Sequence, residues 1–226
     1  LLGDFVDRDS STTQVLWFIY QLEQLAQQQG GTVHYILGNH EIKNLQGNFQ
    51  SAHEKYFYIA GMLGKQQYQL FDDNALLGRW LASKNVLEVI NDVAFVHGGL
   101  HPDLAKYQTS VTEINHIVRS GYRTLYYSPV TVSKTSFLQS GTTGPAWYRG
   151  YFKDELKESD IDSILSYFKV DHIVVGHTSQ EQVLGLYHNK IIAIDSSIKN
   201  GKSGELLLID AGKLRRGLYQ GEQVSL

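Results

Sequence analysis

Four apolar runs in this chain each stop at a glycine beside an Asp, an Asn or a His, and they do so in a fixed order. Leu1-Leu2 leads into Gly3-Asp4-Phe5-Val6-Asp7-Arg8, and residues 33–37 lead into Gly38-Asn39-His40-Glu41. Residues 93–96 lead into His97-Gly98-Gly99-Leu100, and residues 173–175 into Gly176-His177-Thr178. Short apolar runs of this kind read as buried strands. Each motif therefore falls at a strand's C-terminal edge, where open α/β sheets build their sites. Asp4, Asn39, His97 and His177 make a set of hard-to-borderline ligands suited to manganese, iron or zinc. A lone Gly-Asp or Gly-His pair would say nothing; four in order at strand ends point to a metal site.

The rest of the chain fits a layered α/β fold. Residues 10–29 place Val15, Phe18, Ile19, Leu22, Leu25 and Ala26 at helical spacing, with Ser10 or Ser11 as N-cap and Gly30-Gly31 as terminator. With strands on either side, residues 1–37 predict a right-handed parallel crossover. Asn91-Asp92 between two apolar runs predicts a hairpin. A helix is expected over 159–168, and strands over 172–175, 183–187, 191–194 and 205–209, with His188-Asn189-Lys190 as a turn. Early strand-helix-strand and late hairpins together suggest two mixed sheets packed face to face with helices outside. Within 101–150, Val111, Ile114, Ile117 and Val118 mark a helix, whereas 128–144 is rich in Ser, Thr and Gly and reads as a loop at the active-site rim.

Composition excludes some classes. With 226 residues, 42% of them hydrophobic, the chain is expected to form a single domain. Twenty basic against 23 acidic residues leave a net charge of −3, which gives no electrostatic case for nucleic acid or an anionic membrane. No apolar run is long enough for a transmembrane helix. The absence of cysteine rules out disulfides and thiolate ligands and fits a soluble protein of the cytoplasm or the periplasm.

The order GDxxDR, GNHE, HGG, GH resembles the calcineurin-like metallophosphoesterases, and GNHE with HGGL their phosphoprotein phosphatase branch. Residues 38–47 (GNHEIKNLQG), Gly78-Arg79-Trp80, residues 144–150 (GPAWYRG) and residues 174–178 followed by Gln180 are similar to the Shewanella-like phosphatases. The resemblance runs from residue 3 to around residue 210.

It implies a four-layer α/β/β/α sandwich of two mixed β-sheets. It also implies two divalent ions, manganese first with iron or zinc as alternatives, and direct attack of a metal-bridging hydroxide on a phosphomonoester. Asp4 matches the bridging ligand, and Asn39, His97 and His177 match the other ligands of the second metal. The family's Asp-x-His unit, which supplies the first metal, has no counterpart in a chain starting at Leu1. The chain is accordingly read as lacking its first strand-helix unit because it is a piece of a longer molecule; the other reading is a natural departure.

His40 matches the general acid, Asp7 the residue that orients it, and Arg8 and Arg149 the phosphate-binding arginines. Trp147 and Tyr148 either wall the cleft or pack. Glu41 reads as a helix-start residue and His101 as a rim residue, with His34, His53, His116, His172 and His188 in surface or core roles.

The implied substrate is a phosphorylated protein, on phosphotyrosine, phosphoserine or phosphothreonine. The alternatives are a dinucleoside polyphosphate or other small phosphoester, or a phosphorylated partner bound without turnover. Asp9 stands where the family has glycine, in a position expected to need the left-handed backbone region and to set a second carboxylate beside Arg8. Gly-His-Thr-Ser lacks the second His of the GHxH form and so favours phosphomonoesters.

Overall fold

Helix-period and strand-period sequence separate into two units in the computed structural model, which describes residues 1–125 and 131–226. The first unit, Leu1–Val86 with Thr112–Ser140, is helical. The second, Leu87–Val111 with Gly141–Leu226, carries all the strands found among the described residues. The segment 101–150 is shared out between them.

In the first unit, α1 (Thr12–Gln28) buries Leu16 and Ile19, whereas Phe18 and Leu25 of the expected apolar set are exposed. Ser11 holds the N-cap position without a side-chain bond; the turn is closed instead by Asp9, whose Oδ1 accepts from Ser11 N at 2.9 Å. Gly30 takes φ +75° at the helix end. The expected flanking strands do not form regular β-structure. Leu1 N donates to His34 O (2.9 Å) and Ile36 N to Leu1 O (3.0 Å) in a parallel sense, while Leu37 N turns to Asn85 O (2.9 Å). With the bonds divided between two neighbours, neither ladder is long enough to be a strand, yet Tyr35, Ile36 and Leu37 remain buried.

The unit continues with α2 (Asn39–Leu45), α3 (Glu54–Met62), α4 (Leu76–Ala82) and α5 (Val111–Ser120), the last burying Ile114 and Val118. The expected loop over 128–144 is corrected by α6 (Lys134–Gln139). Its serines are caps: Ser136 N donates to Ser133 Oγ (3.1 Å) and Ser133 N to Ser136 Oγ (2.8 Å). Residues 128–130 of that stretch lie outside the described residues.

In the second unit, β1 (Leu87–Ile90) and β2 (Val93–Val96) form the predicted hairpin, with Asn91 at φ 53°. A helix, α7 (Glu158–Phe168), leads into β3 (His172–Val175). With β4 (Leu184–Leu186) and β5 (Ile191–Ala193) these strands form one mixed sheet in the order β1-β2-β3-β5-β4. The pairs β2–β3 and β3–β5 are parallel, and their residues Ala94, Val96, Ile173, Val174, Val175, Ile191 and Ile192 are fully buried, as central parallel strands must be. Val96 pairs with Val175, so the motifs that follow both strands leave from the same sheet edge, and Gly176 N donates to His97 O (2.8 Å).

The second sheet, β6 (Leu206–Asp210), β7 (Lys213–Gly217) and β8 (Gln223–Ser225), is wholly antiparallel. Two sheets in an α/β chain bear out the expected fold class, the first mixed and the second antiparallel among the described residues. Consecutive strands joined by turns as tight as Ala211-Gly212 have no room for a crossover. Among the described residues no helix is long and apolar enough to cross a membrane.

Candidate active site

The loop over residues 3–9 is held in a costly backbone conformation. Gly3, Asp4, Asp7 and Arg8 all have positive φ, at 72°, 60°, 72° and 61°. For each of the three that are not glycine the left-handed region costs about 1–2 kcal/mol. While Arg8 N donates to Ser51 O (2.9 Å), the strain at the start of the loop is offset by Glu41, whose carboxylate is fully buried. Its Oε2 accepts from Asp4 N (2.8 Å) and Gly38 N (2.9 Å), and its Oε1 from Phe5 N (2.7 Å) and Tyr35 Oη (3.0 Å). Glu41 is thus more than a helix-start residue: it ties the first motif to the second. Burial, and then the Glu41 charge, push the Tyr35 hydroxyl well above its ordinary range. Glycine is required where the motifs touch, because a Cβ at Gly3 would collide with the Gly38 backbone, and one at Gly38 with Asp4.

This loop gathers five of the sequence-predicted residues. Asp4 Oδ1 accepts from His40 N at 3.1 Å, and Asn39 is 3% exposed. His40, 4% exposed, sets Nδ1 at 2.6 Å from Asp7 Oδ2, while Arg8 Nη2 lies 3.0 Å from its Nε2. A guanidinium can only donate, so Nε2 accepts from Arg8 and the ring proton sits on Nδ1, donated to Asp7. Asp7 Oδ1 in turn accepts from Asn44 Nδ2 (2.8 Å).

The expectation for Asp9 is corrected. Asp7 and Arg8 take the left-handed conformation, and Asp9 is not among the positive-φ residues. Its exposed carboxylate caps the turn into α1, and hydrogen bonds from Ser11 hold its pKa below the usual carboxylate value.

The second unit gathers the other three. His97 follows β2 and is 1% exposed; His177 follows β3 in the left-handed region, at φ 64°. His97 Nε2 and His177 Nδ1 face each other at 3.1 Å, with ring centroids 4.8 Å apart. Two imidazole nitrogens converging from adjacent strand ends suit a borderline divalent cation, so the donor set fits a metal. Arg149 Nη1 donates to His177 O (3.0 Å) and Thr178 Oγ1 (2.9 Å), which brings the guanidinium to the same loop.

The His97-Gly98-Gly99 turn is locked by Pro145 O, which accepts from Gly98 N (2.8 Å) and Gly99 N (3.0 Å). Trp147 stands edge-on to His177 at 6.3 Å between centroids. Tyr148 is packing: it is buried against His101 and Tyr151, at 4.9 and 5.3 Å. His101 caps a short helical turn, Nδ1 accepting from Asp103 N (3.0 Å), and burial lowers its pKa. His53 caps α3, His172 Nδ1 donates to Asn189 O, and His188 pairs with Glu158.

Three contributors escaped the sequence reading: the Glu41 cluster, Asn44, and Asp195, which accepts from Ser179 Oγ (2.8 Å) in the loop after His177. Asn44 had a signal, since it stands four residues after His40 on one helical face.

A family model described as calcineurin-like phosphoesterase matches residues 1–181. The chain belongs to this family. It is similar to a solved structure of a cold-active protein-tyrosine phosphatase from a psychrophilic Shewanella species, at 44% identity and a TM-score of 0.94, covering 99% of this chain and 67% of that one. Shewanella-like protein phosphatase 2 of Arabidopsis thaliana is 23% identical over 88% of this chain and 62% of its own length. Shewanella-like protein phosphatase 1 of Plasmodium berghei is 25% identical over 87% and 56%. The chain therefore spans roughly two thirds or less of the length of these relatives. Membership implies divalent metal ions and phosphorylated substrates.

Proposed function

We propose that this protein is a metal-dependent phosphoprotein phosphatase that hydrolyses phosphomonoesters, with phosphotyrosine as the leading substrate class. The observation that carries this reading is the buried Asp7–His40 pair with Arg8 on its outer nitrogen, in a chain of the calcineurin-like family. The tyrosine phosphatase named for the Shewanella relative supports the substrate class.

Asp4, Asn39, His97 and His177 would hold divalent metal, assigned together on the order of the motifs, with manganese preferred over iron or zinc. When bound, such ions supply Lewis acidity to the phosphoryl oxygens and lower the pKa of water. The rest falls to the chain's own groups. Arg8 and Arg149 offer planar, permanently charged donors to the non-bridging oxygens. As Arg8 turns to phosphate, His40 Nε2 is released, takes up a proton from water, and as the imidazolium can pass that proton to the leaving oxygen. Asp7 keeps Nδ1–H engaged throughout, so the ring does not rotate away from the reacting bond. No cysteine is present to form a thiol phosphoenzyme.

The test compares phosphotyrosine and phosphoserine peptides with a dinucleoside polyphosphate, in saturating Mn²⁺. Phosphopeptide turnover is expected to dominate. His40→Asn should lower kcat by about 10²–10⁴, the usual worth of general acid catalysis, with metal content unchanged. Wild-type rates in His40→Asn would overturn the assignment of His40, and unchanged metal content in Asp4→Asn would overturn that of Asp4.

A further inference from the structure

We infer that Asn44, outside the four motifs, is a positioning residue for proton transfer to the leaving group. The inference rests on the reading of His40 as general acid.

Its carboxamide sits where it can fix both members of the pair. Asn44 Nδ2 donates to Asp7 Oδ1 at 2.8 Å and to His40 O at 3.0 Å. Both acceptors are obligatory, a carboxylate and a backbone carbonyl, so the amide has only one useful orientation. That orientation leaves Asn44 Oδ1 facing Gln67, whose Nε2 donates to it at 3.3 Å. Asn44 and Gln67 are 2% and 4% exposed. Gln67 Oε1 is buried with no hydrogen-bond partner among the described residues. A buried acceptor left unpaired is unfavourable, so the amide is turned to serve Asn44 at a cost.

The consequence is geometric. Asp7 spends Oδ2 on His40 and Oδ1 on Asn44, so its carboxylate plane is pinned at both ends. Asn44 also holds the backbone carbonyl of His40 itself. A ring set by these contacts keeps Nε2 on a fixed line. Without Asn44, Asp7 gains freedom to rotate and proton delivery loses alignment, while binding of phosphate and metal uses other groups.

General acid catalysis matters in proportion to how poor the leaving group is, and this separates positioning from a merely structural role. Asn44→Ala and the near-isosteric Asn44→Asp would be compared with wild type and His40→Asn on two aryl phosphates. One carries a dinitrophenolate leaving group and the other an unsubstituted phenolate, with metal content and melting temperature recorded for each variant. For Asn44→Ala we expect kcat on phenyl phosphate to fall by about 10- to 100-fold, below the full worth of the acid. On the dinitrophenyl ester the loss should stay within about threefold, since that leaving group needs little protonation. In the His40→Asn background the same substitution should add almost nothing, because two residues acting through one group are non-additive.

Equal losses on the two esters, or full additivity with His40→Asn, would overturn the inference. If His40→Asn itself showed no preference between the esters, the general-acid reading would fail instead, so the two failures are distinguishable. A poorly folded Asn44→Ala leaves Asn44→Asp to decide by the same leaving-group comparison.

Discussion

Glu41→Gln is the substitution whose effect can be worked most directly from the geometry. The carboxylate takes two hydrogen bonds on each oxygen, from Asp4 N and Gly38 N on one side and Phe5 N and Tyr35 Oη on the other. Glutamine turns one oxygen into a donor. The less costly arrangement sets the new NH₂ on the Tyr35 side, because a hydroxyl can rotate to accept and an amide N–H cannot. Phe5 N then faces a donor and is left unsatisfied, at about 1.5–3 kcal/mol for a bond to a charged group. The two remaining backbone bonds fall from charged to neutral strength, roughly halving each. Burying an amide costs less than burying a charge, which returns part of the loss.

The net expectation is a destabilisation of about 3 kcal/mol. For a chain of this size that lowers Tm by roughly 6–12 °C. Asp4, strained and bonded through its N–H to Glu41, also loses that restraint, so divalent-metal affinity should fall along with stability. Thermal unfolding followed by circular dichroism, with metal content measured on the same samples, checks both. A Tm within about 2 °C of wild type would refute Glu41 as the tie between the two motifs.

Stability should fall at high pH. Burial raises the hydroxyl pKa values of Tyr35 and Tyr151, so above the unfolded value near 10 the unfolded chain releases protons that the native state keeps. Stability is complete below about pH 10 and declines above it by about 1.4 kcal/mol per pH unit for each tyrosine. Urea unfolding at pH 9, 10 and 11 would show this, and Tyr151→Phe should make the decline shallower. Gly98→Ala should destabilise by several kcal/mol, of order 3, since its Cβ would lie 2.6 Å from Trp147 N and 2.7 Å from Tyr148 N, both backbone atoms. A soluble Gly98→Ala variant with wild-type Tm would contradict that packing.

The parts of the fold written as local patterns were legible in the sequence. Helix α1, the Asn91-Asp92 hairpin and strand β3 appear where spacing put them. The strands expected beside α1 do not form because burial does not ensure regular pairing: residues 35–37 are buried, but Ile36 N and Leu37 N donate to separate partners. Ser133 sits in a stretch of loop composition although it caps α6, since serine serves both states equally well.

At the candidate site, the motifs named the residues to which we assign chemistry but not the ones that hold them. Glu41 reads as a helix-start residue because its four donors, Asp4, Phe5, Tyr35 and Gly38, stand 37, 36, 6 and 3 positions before it, in no readable pattern. Asp9 looked like a substitute for a left-handed glycine, and only backbone torsions reveal that the strain sits on Asp7 and Arg8. Long-range hydrogen bonds of this kind leave no periodic trace in a single sequence.

The most direct test of the account is to follow metal content and phosphotyrosine-peptide hydrolysis in the same samples as Mn²⁺ is added to chelator-stripped protein. The account predicts that activity is absent in the stripped protein, rises together with bound metal, and is lost again on chelation. Full hydrolysis by protein holding no metal would contradict it.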